Sequence, residues 1–365
     1  MSLNPADPRD APVREAALLI ADAAAADVRT RAIRTAALRD FLAEDCQRLD
    51  DRTRVAFAAL LRTIVATIGG AIHGDALERL SAAGNRKAHA ALNAVEAAAI
   101  CPRLYDHLLS DEAMAAALLD RVVLDLIAER LPEALIERSE SEDPFDTADM
   151  ATEASAVALR ALEARRRGPV DQPPYAVDLD AETQFRCAWG IAAAIAVALA
   201  PVDAAARSAI EWALADATER ALARHDDEDR LEAAATRFAV MRDLPLGRVA
   251  EAIEIALADG RIVLATALVA HALALSFEDV RAMIVDPRDT RLWLGLRALD
   301  LPRDTVARIG YALSEADPRR DVEAFADRIE AIMQIDPNEA AAALEHLRLP
   351  APFRAATMAI RALGK

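Results

Sequence analysis

Lysine is almost missing from this chain. Lys87 and Lys365 are the only two, so nearly all of the 43 basic side chains are arginine. We read that bias as a product of GC-rich composition rather than of phosphate binding. Cysteine is equally sparse. Cys46, Cys101 and Cys187 lie far apart with no CxxC pair, which excludes a disulfide framework and a thiolate zinc cluster and suits a reducing compartment. Aromatics make up 4% and the alternation of β-branched residues that marks strands is nearly absent, so a sheet-based fold is not expected. With 11 glycines, none in a GxxxxGK[ST] setting, a phosphate loop has no support. The one glycine cluster, Gly69-Gly70 with Gly74, reads instead as the end of a helix spanning 53–68. Apolar runs at 187–200 and 262–275 fall short of the ~20 residues that cross a bilayer and read as fully buried helices. The first ten residues lack the apolar core of a signal peptide, and a cytoplasmic location is expected.

What is present is helix-forming composition from end to end. Ala and Leu dominate, with Arg, Asp and Glu between them. The expected fold class is all-α. The formal charge is -17, spread over both halves. A field of that sign repels nucleic acid and anionic lipid, so neither nucleic-acid binding nor membrane insertion is expected. Three segments follow from composition and pattern. Residues 1–138 form an N-terminal helical domain, with amphipathic helices expected at 11–24 and 26–48. Residues 139–181 form an acidic and proline-containing linker carrying one helix. Residues 182–365 form a C-terminal helical domain.

That C-terminal segment repeats itself. Leu244-Pro245 is followed by Val249 and Ile253, Leu275-Ser276 by Val280 and Ile284, and Leu301-Pro302 by Val306. Ala272-Leu273 matches Ala298-Leu299, Glu278 matches Asp304, and Met283 matches Ile309. A fainter echo is Leu349-Pro350. In each copy the Leu is expected to close one helix against the core while Pro or Ser opens the next, with apolar residues then facing inward at helical spacing. The copies begin 31 and then 26 residues apart, so the unit is a pair of short helices. Such a pattern predicts an array of antiparallel helix pairs, an α-solenoid, in which each unit buries its apolar face only by stacking on the next.

The segment from His271 to Ile309, with Asp279-Val280-Arg281 echoed by Asp27-Val28-Arg29, resembles an uncharacterised bacterial family, domain of unknown function 2336, over residues 182–365. The resemblance implies an all-helical, HEAT-like repeat in which the Asp orders the turn and the Arg reaches a neighbouring repeat. It carries no catalytic residue and no activity onto this chain.

Chemistry-bearing motifs are few. No HExxH or other histidine pair at i, i+4 occurs among His73, His89, His107, His225, His271 and His346, so no metal site is expected. The run His225 to Asp229 lacks the Gly or Asn that bends an oxygen cage and reads as a solvated corner. His271, in an apolar helix, reads as a hydrogen-bonded core residue. Arg160 and Arg165 to Arg167 could grip an anion, although a helix C-terminus favours cations through its dipole. No nucleophile motif appears, and neither catalytic residues nor a cofactor are expected. One loop stands out, Asp286-Pro287-Arg288-Asp289-Thr290-Arg291-Leu292-Trp293. Arg and Trp concentrate binding energy at interfaces, so Arg288, Arg291 and Trp293 are the candidate ligand or partner site. Against this, Asp289 can cap the helix, the arginines can pair with local acids, and Trp293 can be core. The reading that fits is a non-enzymatic scaffold for a protein partner. The alternative is a sensor of a small ligand such as a nucleotide, working through that Arg/Trp loop.

Overall fold

The computed structural model describes residues 50–131, 145, 149–166 and 177–363. The helices expected at 11–24 and 26–48, together with Cys46, residues 132–138, Arg167 and most of the linker, lie outside the described residues. All regular structure among the described residues is helical, as composition predicts. The chain divides into two compact units. One holds the described residues of 34–122 and 160–234, the other those of 123–159 and 235–365. Each unit draws on separated stretches of chain.

The first unit contains α1 (Asp51–Ala82), α2 (Arg86–Asn93), α3 (Ile100–Ser110), α6 (Ala181–Ala198) and α7 (Ala204–Ala223), with parts of α4 (Glu112–Arg130), α5 (Met150–Arg166) and α8 (Leu231–Arg242). Acidic and amide caps set the helix starts. Asp50 accepts from Thr53 N at 2.6 Å, Asn85 from Ala88 N at 3.1 Å, Asp180 from Thr183 N at 2.8 Å and Asp203 from Ala206 N at 2.7 Å. Each satisfies one amide that the first turn leaves without an intrahelical partner.

Gly69-Gly70 does not end a helix. Both residues keep right-handed angles, and α1 runs on through a π turn at Val65–Gly69. The glycine serves packing instead: a Cβ on Gly69 would lie 3.1 Å from Ile191 Cγ2 of α6. Read as one element, α1 is long and apolar enough to cross a membrane, which the two shorter runs are not. Its stripe of Phe57, Leu61, Ile64, Ile68, Ile72, Ala76 and Leu80 is buried within the unit.

The expectation of a fully buried helix fails for α6. Cys187, Ala188, Ile191, Ala194 and Ile195 are buried against α1, α3 and α7. Phe185, Ala193 and Val197 face outward, with Phe185 51% and Val197 69% exposed. A helix that is apolar all round signals burial on every side, and α6 finds neighbours for part of its circumference only.

The second unit continues with α9 (Leu246–Ala258), α10 (Ile262–Leu273), α11 (Phe277–Val285), α12 (Arg291–Ala298), α13 (Arg303–Ala316), α14 (Val322–Gln334), α15 (Pro337–Leu344) and α16 (Ala351–Leu363). Here α10 is the fully buried helix its composition predicts, closed on every side from Ile262 to Ala270. The three repeated corners share one backbone solution. Asp243, Ala274 and Asp300, the residues just before Leu244, Leu275 and Leu301, have φ of 36°, 53° and 51°. A left-handed residue reverses the chain, and at the second and third corners the next amide returns to the helix just ended: Leu275 N to Ala270 O at 2.9 Å, Leu301 N to Leu296 O at 3.3 Å. Pro245, Ser276 and Pro302 then sit at the N-cap, not inside the first turn. Val249, Ile253, Val280, Ile284, Val306 and Ile309 all point inward as expected. Of the corner leucines Leu301 is buried, while Leu244 and Leu275 are half-buried. Leu349-Pro350 lacks a left-handed residue before it and leaves Leu349 exposed, so that echo is one of sequence only.

Candidate functional site

The Arg/Trp loop is organised by its acids. The Asp286 carboxylate accepts from Arg288 N at 2.9 Å, and Asp289 N returns to Asp286 O at 3.1 Å. Asp289 then accepts from Arg291 N at 2.8 Å and, as a fork, from Arg291 Nε at 2.9 Å and Nη2 at 2.5 Å. Both partners are inside: the Arg291 side chain is 2% exposed and that of Asp289 is closed to solvent. Burial pushes the Asp289 carboxyl up, against the hydrogen bonds and charge of Arg291.

The same device recurs one helix pair later. Asp317 accepts from Arg319 N at 3.1 Å and from its Nε and Nη2, each at 2.8 Å. A third Asp-Pro corner, Asp336-Pro337, repeats only the backbone part, with Asn338 N donating at 2.8 Å. Arg319 Nη2 goes on to Val285 O at 3.1 Å and Arg320 donates to Ile284 O, so two arginines cap the carbonyl end of α11. Burial brings the Arg320 guanidinium down to about 10, with Asp317, Asp286 and Asp289 working in the opposite direction. Arg297 Nε likewise reaches Ile335 O at 2.7 Å, at the end of α14. Only a planar guanidinium can hold a carboxylate as a fork and a helix end at once, which gives the scarcity of lysine a structural use here.

The structure does not bring the three candidate residues together. Arg291 is turned inward and committed to Asp289. Arg288 is exposed. Trp293 is half-buried and lies on Phe325, ring centroids 4.6 Å apart. Phe325 in turn occupies the space where Gly310 of α13 has no side chain. The loop is therefore built from local acid–arginine pairing and aromatic packing.

In the other arginine stretch Arg160 and Arg165 are exposed, and Arg166 behaves as Arg291 does. Arg166 is buried and pairs with Glu232 at 2.5 Å and Asp178 at 3.7 Å, while Arg121 Nη1 donates to Asp178 O at 2.5 Å and Leu231 N to the Asp178 carboxylate at 3.1 Å. Two cations and two anions thus fasten α4, α5, the strand-free approach to α6 and the start of α8. Burial raises Glu232, but Arg166 and Arg121 prevail and hold it at about 2. Asp178 stands farther from Arg166, and burial with the charge of Glu232 pushes it up. Sequence reading missed this cluster because its members are scattered from residue 121 to residue 232 and none belongs to a motif. The one available signal was the expectation that a helix-terminal arginine seeks an anion.

The remaining candidates resolve locally. Asp226 caps Glu228 N at 2.9 Å, and Asp227 holds Arg230 and Ala181 N at 2.9 and 2.8 Å, so the acids after His225 are spent on a corner. Among the described residues no group of three or more His, Cys, Asp or Glu is placed to hold a metal. His271 is hydrogen-bonded as expected, to the Asp243 carboxylate at 2.9 Å, but is half-exposed rather than core. Burial pushes the Cys187 thiol up to about 12, so it acts as a small hydrophobe. In the triplet Asp279-Val280-Arg281, the Asp279 carboxylate accepts from Ser276 Oγ at 2.7 Å and from Arg354 of α16 at 2.6 Å. Comparison with protein-family models, with curated proteins and with solved structures finds no match to this chain.

Proposed function

We propose that this chain is a non-enzymatic scaffold for protein–protein interaction, cytoplasmic, whose second unit is a HEAT-like helical-repeat array of the kind found in domain of unknown function 2336. The observation that carries the reading is the shared corner at Asp243, Ala274 and Asp300: one left-handed residue, one Leu and one N-cap, recurring at the spacing of a helix pair. Repetition of a backbone device is how a chain stacks units that cannot bury their apolar faces singly, and stacked helix pairs present the extended surfaces on which partners sit. Supporting it, the chemistry-bearing side chains of the two buried ionic clusters are tied to one another and to helix ends. A charge of -17 argues against nucleic acid as the partner.

The test is affinity capture on the full chain from extract of the native cell, with free chain as competitor. The scaffold reading expects a protein recovered in stoichiometric amount and released by the competitor. No such protein, together with turnover of a metabolite by the purified chain, overturns it.

A further inference from the structure

The outward stripe of α6 consists of Phe185, Trp189, Ala193 and Val197, spaced at i, i+4, i+8 and i+12. Such spacing keeps all four on one side of the helix over roughly 18 Å. Phe185 and Trp189 meet edge to face with centroids 6.4 Å apart, Trp189 is half-buried, and the other three are exposed. The stripe carries no charge, on a chain whose net charge is -17. The flanking ions are already occupied: Arg186 holds Glu182 at 2.7 Å and Asp111 at 2.8 Å.

The order of sizes along the stripe is the informative part. It runs large, large, small, medium. Turned end for end about the level of residue 191, the same helix sets Phe185 against Val197 and Trp189 against Ala193, a bulky side chain against a smaller one each time. That is the condition for an isologous contact, in which residue i of one copy meets residue j of the other and j meets i. We propose that α6 is a self-association surface, and that a second copy of this chain packs on it antiparallel, about a two-fold axis at the level of residue 191.

A charge of this size also selects the place, since two copies repel each other least where neither carries charge. The stripe offers roughly 300–400 Å² per copy, below the ~800 Å² per partner of a standard interface, so the dimer is reversible.

Sedimentation velocity on the full chain from ~1 to ~200 µM reads it, a range that brackets a dissociation constant of roughly 10–100 µM. The expected result is a concentration-dependent monomer–dimer equilibrium. Ala193→Glu, on an exposed alanine, weakens it at least ~30-fold, whereas Ala205→Glu on the exposed side of α7 leaves it unchanged. Trp189→Arg alone also weakens it. A mixture of Ala193→Glu and Trp189→Arg copies then restores a mixed dimer, because the two-fold pairs the new Glu with the new Arg and leaves one native Trp–Ala contact. A chain that stays monomeric throughout, or an Ala193→Glu variant that dimerises like the parent, overturns the proposal.

Discussion

Gly310 lies inside α13, and its replacement by Ala should destabilise the chain, against the usual sign for such a change. A glycine in a helix interior normally costs about 1 kcal/mol relative to Ala, so removing one ordinarily helps. Here the ring of Phe325 fills the space a Cβ would need, meeting it with three of its atoms, and the Trp293 ring packs on Phe325 with centroids 4.6 Å apart. Inserting the methyl forces Phe325 to move, and overpacking of this kind costs about 1–3 kcal/mol. Displacing the ring also gives up an aromatic pair of about 0.5–1.5 kcal/mol. Set against the propensity gain, the net loss is about 0.5–3.5 kcal/mol. The assay is urea unfolding followed by tryptophan fluorescence, read as the midpoint at unchanged slope. Gly74→Ala in α1 is the control, because nothing lies within 4 Å of its would-be Cβ. That variant should gain about 0.5–1 kcal/mol. Phe325→Leu in the Gly310→Ala background should recover part of the loss by making room. If Gly310→Ala stabilises as Gly74→Ala does, or if the smaller residue at 325 recovers nothing, the packing argument is refuted.

Two further outcomes follow from the buried charges. Arg291→Met leaves Asp289 buried without its fork and should cost about 3–5 kcal/mol, while adding Asp289→Asn, which removes the charge but keeps an acceptor for the residue-291 amide, should recover a substantial part in the same urea titration. Glu232 is held at about 2 in the folded chain against its ordinary 4.5, so between those values the unfolded chain binds more protons. Its contribution is present above about 4.5 and lost as pH falls toward about 2; Glu232→Gln should therefore lower the urea midpoint at pH 7 and converge on the parent as pH drops through that window.

The helical half of this account was legible in the sequence because its signals are local. Asp180 and Asp203 stand just ahead of apolar-periodic runs and do cap α6 and α7. Each of the three left-handed corners of the second unit is announced by its own Leu-Pro or Leu-Ser pair. Gly69-Gly70 misled, since a glycine pair looks the same whether it ends a helix or lets a neighbouring helix approach, and Ile191 lies more than 100 residues away. The candidate site was legible only as composition. Arg288, Arg291 and Trp293 were noticed for what such residues can do, yet the direction each takes depends on Asp289 beside it and on Phe325 and Gly310 farther along. Asp289 before Arg291 and Asp317 before Arg319, each an acid two residues ahead of the arginine it grips, were the signal that such arginines serve the fold. The pairing of Arg166 with Glu232, by contrast, has no local trace.

The central claim is that the second unit repeats one corner, built on a left-handed residue where the sequence offers an L-amino acid. Ala274, at φ 53° and with no side-chain hydrogen bond to lose, is the place to measure it. An alanine in that region costs about 1–2 kcal/mol that glycine does not pay. Ala274→Gly should raise the urea midpoint by the equivalent of about 0.5–1 kcal/mol, the entropy of the unfolded chain offsetting the rest. A lowered midpoint would mean that residue 274 is not left-handed, and that the shared corner does not exist.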